Sequence, residues 1–178
     1  MPMVMDRVAW KISIAGSKGS GKSSLISRIV YDSDGTSSPS KLLSRKRITI
    51  ERDGSRIPVD LLLQEISDEP EAERLLPGSN IILVLAEVTS ADSLANAVEM
   101  LKYARSFEKK PPLLLVGTKS DMKYEAEIWT EDFEKVKQKT GVGYHIVSAR
   151  TGEGIEGLME DVTSTLLERF YAKKQRAP

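Results

Sequence analysis

Short apolar runs alternate along this chain with stretches whose apolar residues recur at helical spacing. Ala9–Ala15 reads AWKISIA and then meets Gly16; its period of two predicts a strand entering a glycine loop. In Lys22–Val30, Leu25, Ile26, Ile29 and Val30 share a helix face. Asp32–Ser40 collects Asp, Ser, Gly, Thr and Pro and predicts a loop. Arg47–Glu51 and Ile57–Ile66 flank Asp53-Gly54, a hairpin dipeptide. Pro58 suits the start of the second strand, where a ladder donor can be spared. Asn80–Val88 and Leu113–Val116 are apolar on both faces, as strands inside a parallel sheet are. Between them, Leu94, Ala97, Val98 and Leu101 give Ser93–Phe107 one apolar helical face, and Pro111-Pro112 stops it. Thr130, followed by Glu131 and Asp132, predicts a helix capped by the threonine hydroxyl. Tyr144–Val147 reads as a short strand, and Ile155, Leu158, Met159, Val162, Leu166 and Phe170 stripe a last helix.

Strands alternating with helices predict an α/β protein of three layers, α/β/α. Its sheet would be six-stranded and mostly parallel, with one antiparallel edge strand from the hairpin. No repeat or linker interrupts the pattern. Residues 1–178 are therefore expected to form a single domain, with its core at about 8–171 and a short flexible tail at 172–178.

Composition narrows the chemistry. Lys plus Arg total 26 and Asp plus Glu total 26, so the net charge is zero and the usual electrostatic case for a nucleic-acid binder is gone. There is no cysteine, which excludes disulfides, thiol catalysis and iron–sulfur clusters. A single histidine, His145, rules out a multi-histidine metal site. The longest apolar run, Ile81–Ala86, is far short of the roughly 20 residues a bilayer demands. The start MPMVMDRVAW lacks a leader pattern, Pro2 stands where a myristoylated glycine would be, and KKQRAP offers no cysteine for prenylation. A cytoplasmic monomer with no intrinsic membrane anchor is the expectation.

Gly16-Ser17-Lys18-Gly19-Ser20-Gly21-Lys22-Ser23 matches G-x-x-x-x-G-K-[ST]. Phosphates need several backbone N–H groups converging on them, and glycines let the backbone come that close. A helix beginning near Lys22 adds its positive dipole end. Lys22 is the point charge aimed at the β- and γ-phosphates and the candidate catalytic residue. Ser23 offers a hydroxyl to Mg²⁺, and Ser24 extends the phosphate-binding run. The loop alone does not choose between ATP and GTP. Thr118-Lys119-Ser120-Asp121 follows the strand Leu113–Val116, where a carboxylate could accept two hydrogen bonds from the guanine N1–H and 2-amino edge. Ser148-Ala149-Arg150 follows the next strand, where a backbone N–H could meet guanine O6. Both segments end strands, where open α/β sheets bind ligands.

On these motifs the chain resembles the Ras-like small GTPases, of the P-loop NTPase fold, from about Val8 to Phe170. WKISIAGSKGSGKSSLISRIV matches the family's opening, T-K-S-D its guanine motif in the form seen in Rho-type members, and S-A-R its SAK motif. Glu87–Leu94 looks like the family's stretch between fourth strand and third helix. The resemblance implies that GTP or GDP is bound with Mg²⁺. It also implies that Lys119 packs against the phosphate loop and nucleoside, that Asp121 reads the base, and that Ala149 donates to guanine. Protein effectors or regulators would engage the switch regions.

The departures matter as much. The family ends its third strand with D-x-x-G, whose Asp supports Mg²⁺ through water, whose Gly senses the γ-phosphate, and which is followed by a water-orienting Gln. Counting from Asp53-Gly54 puts Leu63 at the Asp and Ile66 at the Gly. Gln64, Glu65 and Asp68 lie nearby as substitutes. This stretch is most similar to the C-terminal GTPase domain of the mitochondrial Rho (Miro) proteins, and somewhat to centaurin-gamma GTPase-like domains. Lys18 stands where the family has a small residue facing the γ-phosphate. Thr36 is the candidate switch threonine for Mg²⁺, with Ser40 nearer the usual spacing.

Other residues are expected to be structural. Trp10 and Trp129 should pack, His145 should sit within or on its strand, Ser44–Arg47 should form a solvated edge, and Lys173, Lys174 and Arg176 should belong to a frayed tail. Three functions follow: a slow GTPase switch, a pseudo-GTPase scaffold without turnover, or a small P-loop kinase using ATP on a metabolite. In the last, T-K-S-D and S-A-R would be coincidence.

Overall fold

A computed structural model describes residues 7–32, 43–66 and 69–176. The elements in chain order are β1 (Val8–Gly16), α1 (Lys22–Tyr31), β2 (Leu43–Arg52), β3 (Ser55–Glu65), α2 (Glu69–Leu75), β4 (Ile81–Glu87), α3 (Ala91–Arg105), β5 (Leu113–Thr118), α4 (Thr130–Thr140), β6 (Gly143–Ile146) and α5 (Ile155–Arg176). The sheet runs β2-β3-β1-β4-β5-β6. Only the β2–β3 pairing is antiparallel. The hairpin turn explains it: Asp53 and Gly54 have φ of 53° and 77°, the doubly positive pair whose twist matches that of the flanking strands. Pro58 faces Thr49 on the edge strand β2 and precedes Val59, where the pairing with β1 begins, so its missing N–H costs the inner ladder nothing.

Period-two alternation builds the three layers. Along β4, Ile81, Leu83 and Leu85 face one way and Ile82, Val84 and Ala86 the other, all buried. The first set joins Leu25, Ile26 and Ile29 of α1 and Leu158, Val162 and Leu166 of α5. The second meets Ala72 of α2, Ala97 and Leu101 of α3, and Phe133 and Val136 of α4. Trp10 packs as expected, 4% exposed and edge-on to Phe170. His145 forms a part-buried pair with Asp161 at 2.7 Å. On the edge strand, Ser44 is buried rather than solvated, and Lys46 donates to the Ile29 carbonyl at 2.7 Å, capping the end of α1.

Several expectations change. The helix α2 was not anticipated: it is seven residues long, acid-rich, and buries only Ala72. Thr130 is the first helical residue rather than the cap; Asp132 supplies the cap, its Oδ2 accepting the Trp129 N–H at 2.8 Å. Trp129 does not pack, being 57% exposed. The last helix continues through Arg176, past the expected start of a tail. Among the described residues no helix is long and apolar enough to cross a membrane.

Candidate functional site

Because β1, β3, β4, β5 and β6 are parallel, their carboxyl ends share one edge of the sheet. That edge gathers residues far apart in sequence: the loop after Gly16, Glu65 of β3, Glu87 of β4, Thr118–Asp121 after β5 and Ser148–Arg150 after β6. The chain order reverses around β1, which places this edge at the crevice where open α/β sheets bind ligands.

Gly16 closes β1, and residues 17–21 join it to α1 without helix or strand. Gly21 caps α1 with φ 97° and ψ 23°, a left-handed conformation costly to a side chain, and it turns the first N–H groups of α1 outward. Lys22 opens the helix and folds back over the loop, donating to the carbonyls of Gly16 at 2.8 Å and Ser17 at 3.2 Å. Burial lowers its pKa from the ordinary lysine value, and the Glu65 carboxylate partly opposes that shift. A partly desolvated ammonium beside a helix N-terminus suits a multiply charged anion.

The side chains around the loop bind it to its neighbours. Thr118 Oγ1 donates to the Ser20 carbonyl at 2.5 Å, and Lys119 Nζ donates to the Gly19 carbonyl at 2.7 Å. Lys119 holds φ 63°, unusual for a residue with a side chain, and pairs with Glu87 at 2.6 Å. Asn96 of α3 donates to Ser17 Oγ at 3.1 Å. Ser20 Oγ is buried with no hydrogen-bond partner among the described residues. Lys18 is exposed and opens onto a 740 Å³ cavity with Glu69 and Glu73 of α2 and Asn96 and Glu99 of α3. Ser24 sits half-buried one residue further along α1.

The second half of the site is a small network. Asp121 Oδ1 accepts from Ser148 Oγ at 2.8 Å, and Ser148 Oγ accepts the Thr151 N–H at 3.1 Å. Ser120 N–H reaches the Val147 carbonyl at 3.1 Å, stitching the two strand ends together. One carboxylate oxygen of Asp121 is thus fixed, while the other has no partner among the described residues. Thr118, grouped by sequence with the base readers, instead contacts the phosphate-type loop.

Ser23 Oγ donates to Glu65 Oε2 at 2.9 Å. Leu63, which counting placed at the metal-supporting position, is fully buried in the core against α1 and α5. Glu65 lies two residues on and on the same face, so the strand runs one pleat further than the count assumed. Ile66 is 3% exposed and its N–H is spent on the Ile14 carbonyl at 2.9 Å. Thr36, Ser40 and Asp68 lie outside the described residues.

Sequence reasoning passed over Glu87, Asn96 and Arg28, all of which touch this site. Glu87 carried a signal: it is the one charge closing an otherwise apolar strand. Asn96 and Arg28 read as ordinary polar positions on helices, and only tertiary contact distinguishes them.

The Ras family profile matches residues 11–168. Ras-related protein Ral-B of Rattus norvegicus is 29% identical over 174 residues, covering 94% of this chain and 82% of that protein. GTP-binding protein RHO1 of Candida albicans is 30% identical over 145 residues, covering 71% of this chain and 72% of that protein. Ras-related protein Rab-4 of Dictyostelium discoideum is 26% identical over 172 residues. A profile that runs from the first strand into the last helix, over this strand order and these strand-end loops, shows that the chain belongs to the Ras family of small GTPases.

Proposed function

We propose that this protein binds GTP and GDP with Mg²⁺ and hydrolyses GTP slowly, as a molecular switch. The observation that carries the reading is the convergence at one sheet edge of Lys22, Lys119 and the Ser148-fixed carboxylate of Asp121. Gly16–Gly21 and Ser24 would cradle the phosphates through backbone N–H groups and hydroxyls, with Lys22 as the cation at the β- and γ-phosphates. Asp121 would accept from the guanine N1–H and 2-amino groups, and the loop Ser148–Arg150 would donate to O6.

The donor set fits Mg²⁺. Ser23 Oγ and the Glu65 carboxylate are adjacent, and Mg²⁺ is commonly held by one or two protein oxygens with the rest from water and phosphate. When bound, the ion would neutralise charge on the phosphate oxygens. The chain's own part is positioning: Lys22 and the loop hold the phosphates while a water oxygen bonds to the γ-phosphorus. The bond to the bridging oxygen breaks, and GDP and phosphate leave. Protein partners would bind beside this edge, where α2 and the 740 Å³ cavity lie.

A pseudo-GTPase is the second reading. What favours it is the strand end itself: with Glu65 on Ser23, the glycine position of D-x-x-G falls on Asp68, so the sequence carries an acid where the family has its γ-phosphate-sensing glycine. Competition of GTP, GDP and ATP against a fluorescent guanine nucleotide tests the main reading, and ATP competing as well as GTP would instead favour the kinase alternative. Single-turnover hydrolysis on the same protein separates the switch from the scaffold.

A further inference from the structure

Arg28 lies on α1 six residues beyond Lys22, with its side chain only 14% exposed. Its guanidinium reaches across 121 residues of chain: Nε donates to the Ala149 carbonyl at 2.6 Å and Nη2 to the Arg150 carbonyl at 2.8 Å. Nη1 meets Asp32 at the end of α1, at 3.1 Å to Oδ1 and 3.3 Å to the carbonyl. The planar fork of arginine suits this task, since it can grip two carbonyls in a fixed geometry where lysine offers a point charge.

The loop it grips has a specific pattern of used and unused donors. Ser148 N–H goes to Glu153, Thr151 N–H to Ser148 Oγ and Gly152 N–H to the Ser148 carbonyl. Among the described residues the Ala149 and Arg150 N–H groups have no partner. In a trans peptide the N–H points opposite to the carbonyl of the same unit. Gly152 therefore aims the Ala149 N–H by holding the Ser148 carbonyl. Arg28 aims the Arg150 N–H by holding the Ala149 carbonyl.

We propose that Arg28 is a positioning residue for base selectivity: by clamping the Ala149–Arg150 peptide to α1, it aims the Arg150 N–H as a second donor at the 6-oxo group of the base. The inference rests on the guanine-nucleotide reading above. It also ties the base side of the site to the helix that begins at Lys22, so the two halves are held by one rigid element.

The test compares two probes on each variant: GDP, and 2-aminopurine riboside 5′-diphosphate, which lacks the 6-oxo group and with it the N1–H, so that the Asp121 contact is altered equally in every variant and only the change between variants is read. In Arg28→Gln the affinity for GDP should fall about tenfold, the size of one lost hydrogen bond in a closed site, while the analogue changes less than about threefold. Arg28→Lys, which keeps the charge and can make one bond, should fall between. The ratio of the two affinities is internal to each sample and does not depend on how much of it is folded. An equal loss for both probes, or no loss for either, overturns the proposal. Asp121→Asn is the separate control: a shift toward xanthosine diphosphate with an unchanged ratio in Arg28→Gln sinks this inference alone, whereas no shift in Asp121→Asn sinks the guanine reading and this inference with it.

Discussion

The carboxylate of Glu65, the last residue of β3, accepts the hydroxyl hydrogen bond of Ser23, the second residue of α1, at 2.9 Å. This joins the end of the third strand to the helix that follows the phosphate-type loop. An acid therefore stands beside the candidate metal hydroxyl even though counting along the sequence put a leucine there. Glu65→Ala should raise the Mg²⁺ concentration needed for half-maximal GTP binding by about tenfold, the scale of one hydrogen bond to a charged group. GDP affinity in excess EDTA should stay within about threefold of wild type. A magnesium titration followed by fluorescent nucleotide binding reads both, and an unchanged Mg²⁺ requirement would remove Glu65 from the site.

Lys22→Ala should lower GDP affinity by at least about a hundredfold, because it removes the cation directed at the loop. Isothermal calorimetry measures this, and equal affinity in mutant and wild type would end the phosphate-loop reading. The nucleotide-free protein should behave differently. Lys22 is buried and its pKa is lowered, chiefly by desolvation. The unfolded chain then binds more protons between the folded pKa and 10.5, so this residue's cost to stability fades as pH rises through that window. Thermal melts of wild type against Lys22→Met should show the wild type gaining relative stability on going from neutral pH toward 10.5. A relative loss over that range would contradict the burial argument.

What was legible in the sequence was whatever rests on local spacing. The loop Gly16–Ser23, its flanking strand and helix, and the period-two strands β4 and β5 are properties of neighbouring residues. Glu65 was misplaced because the count from Asp53-Gly54 assumed a strand length, and strand length is set by pairing with β1 rather than by the hairpin. The helix α2 escaped notice because one buried alanine among acids leaves no apolar stripe to read. Trp129 looked like core by residue type, but it sits at a helix N-cap on the surface. The role of Arg28 depends on partners 121 and 122 residues away and left no local trace.

Gly117 on β5 tests the packing behind the site. A Cβ there would lie 2.7 Å from the Phe133 ring, which is fully buried. Gly117→Ala should destabilise the protein by about 1–3 kcal/mol, the ordinary cost of overpacking a filled core. Adding Phe133→Leu should recover part of that loss, since it withdraws the atoms in the way. Urea denaturation of the two variants checks this; losses that simply add would mean that the two side chains do not meet.

The last prediction concerns turnover. Water must be held in line with the γ-phosphorus, and among the described residues no side-chain amide stands on the Ser23 side of β3. Gln64 alternates away from Glu65 and so points to the opposite face of the sheet, toward α2 and α3. Gln64→Ala should therefore leave hydrolysis unchanged, while Glu65→Ala should slow it through Mg²⁺ binding. Counting on from Glu65 puts the exposed Glu69, the first residue of α2, where the family has its water-orienting glutamine. A carboxylate there brings negative charge toward phosphate oxygens instead of a neutral amide. Intrinsic GTP hydrolysis should thus be no faster than about 10⁻⁴ s⁻¹, the order of basal turnover in small GTPases without an activating partner. Glu69→Gln should raise it several-fold. Phosphate release under single-turnover conditions measures all four proteins: turnover near 1 s⁻¹ in the wild type would overturn the slow-switch reading, and a clear loss in Gln64→Ala would show that water is positioned by a group on the other face of β3.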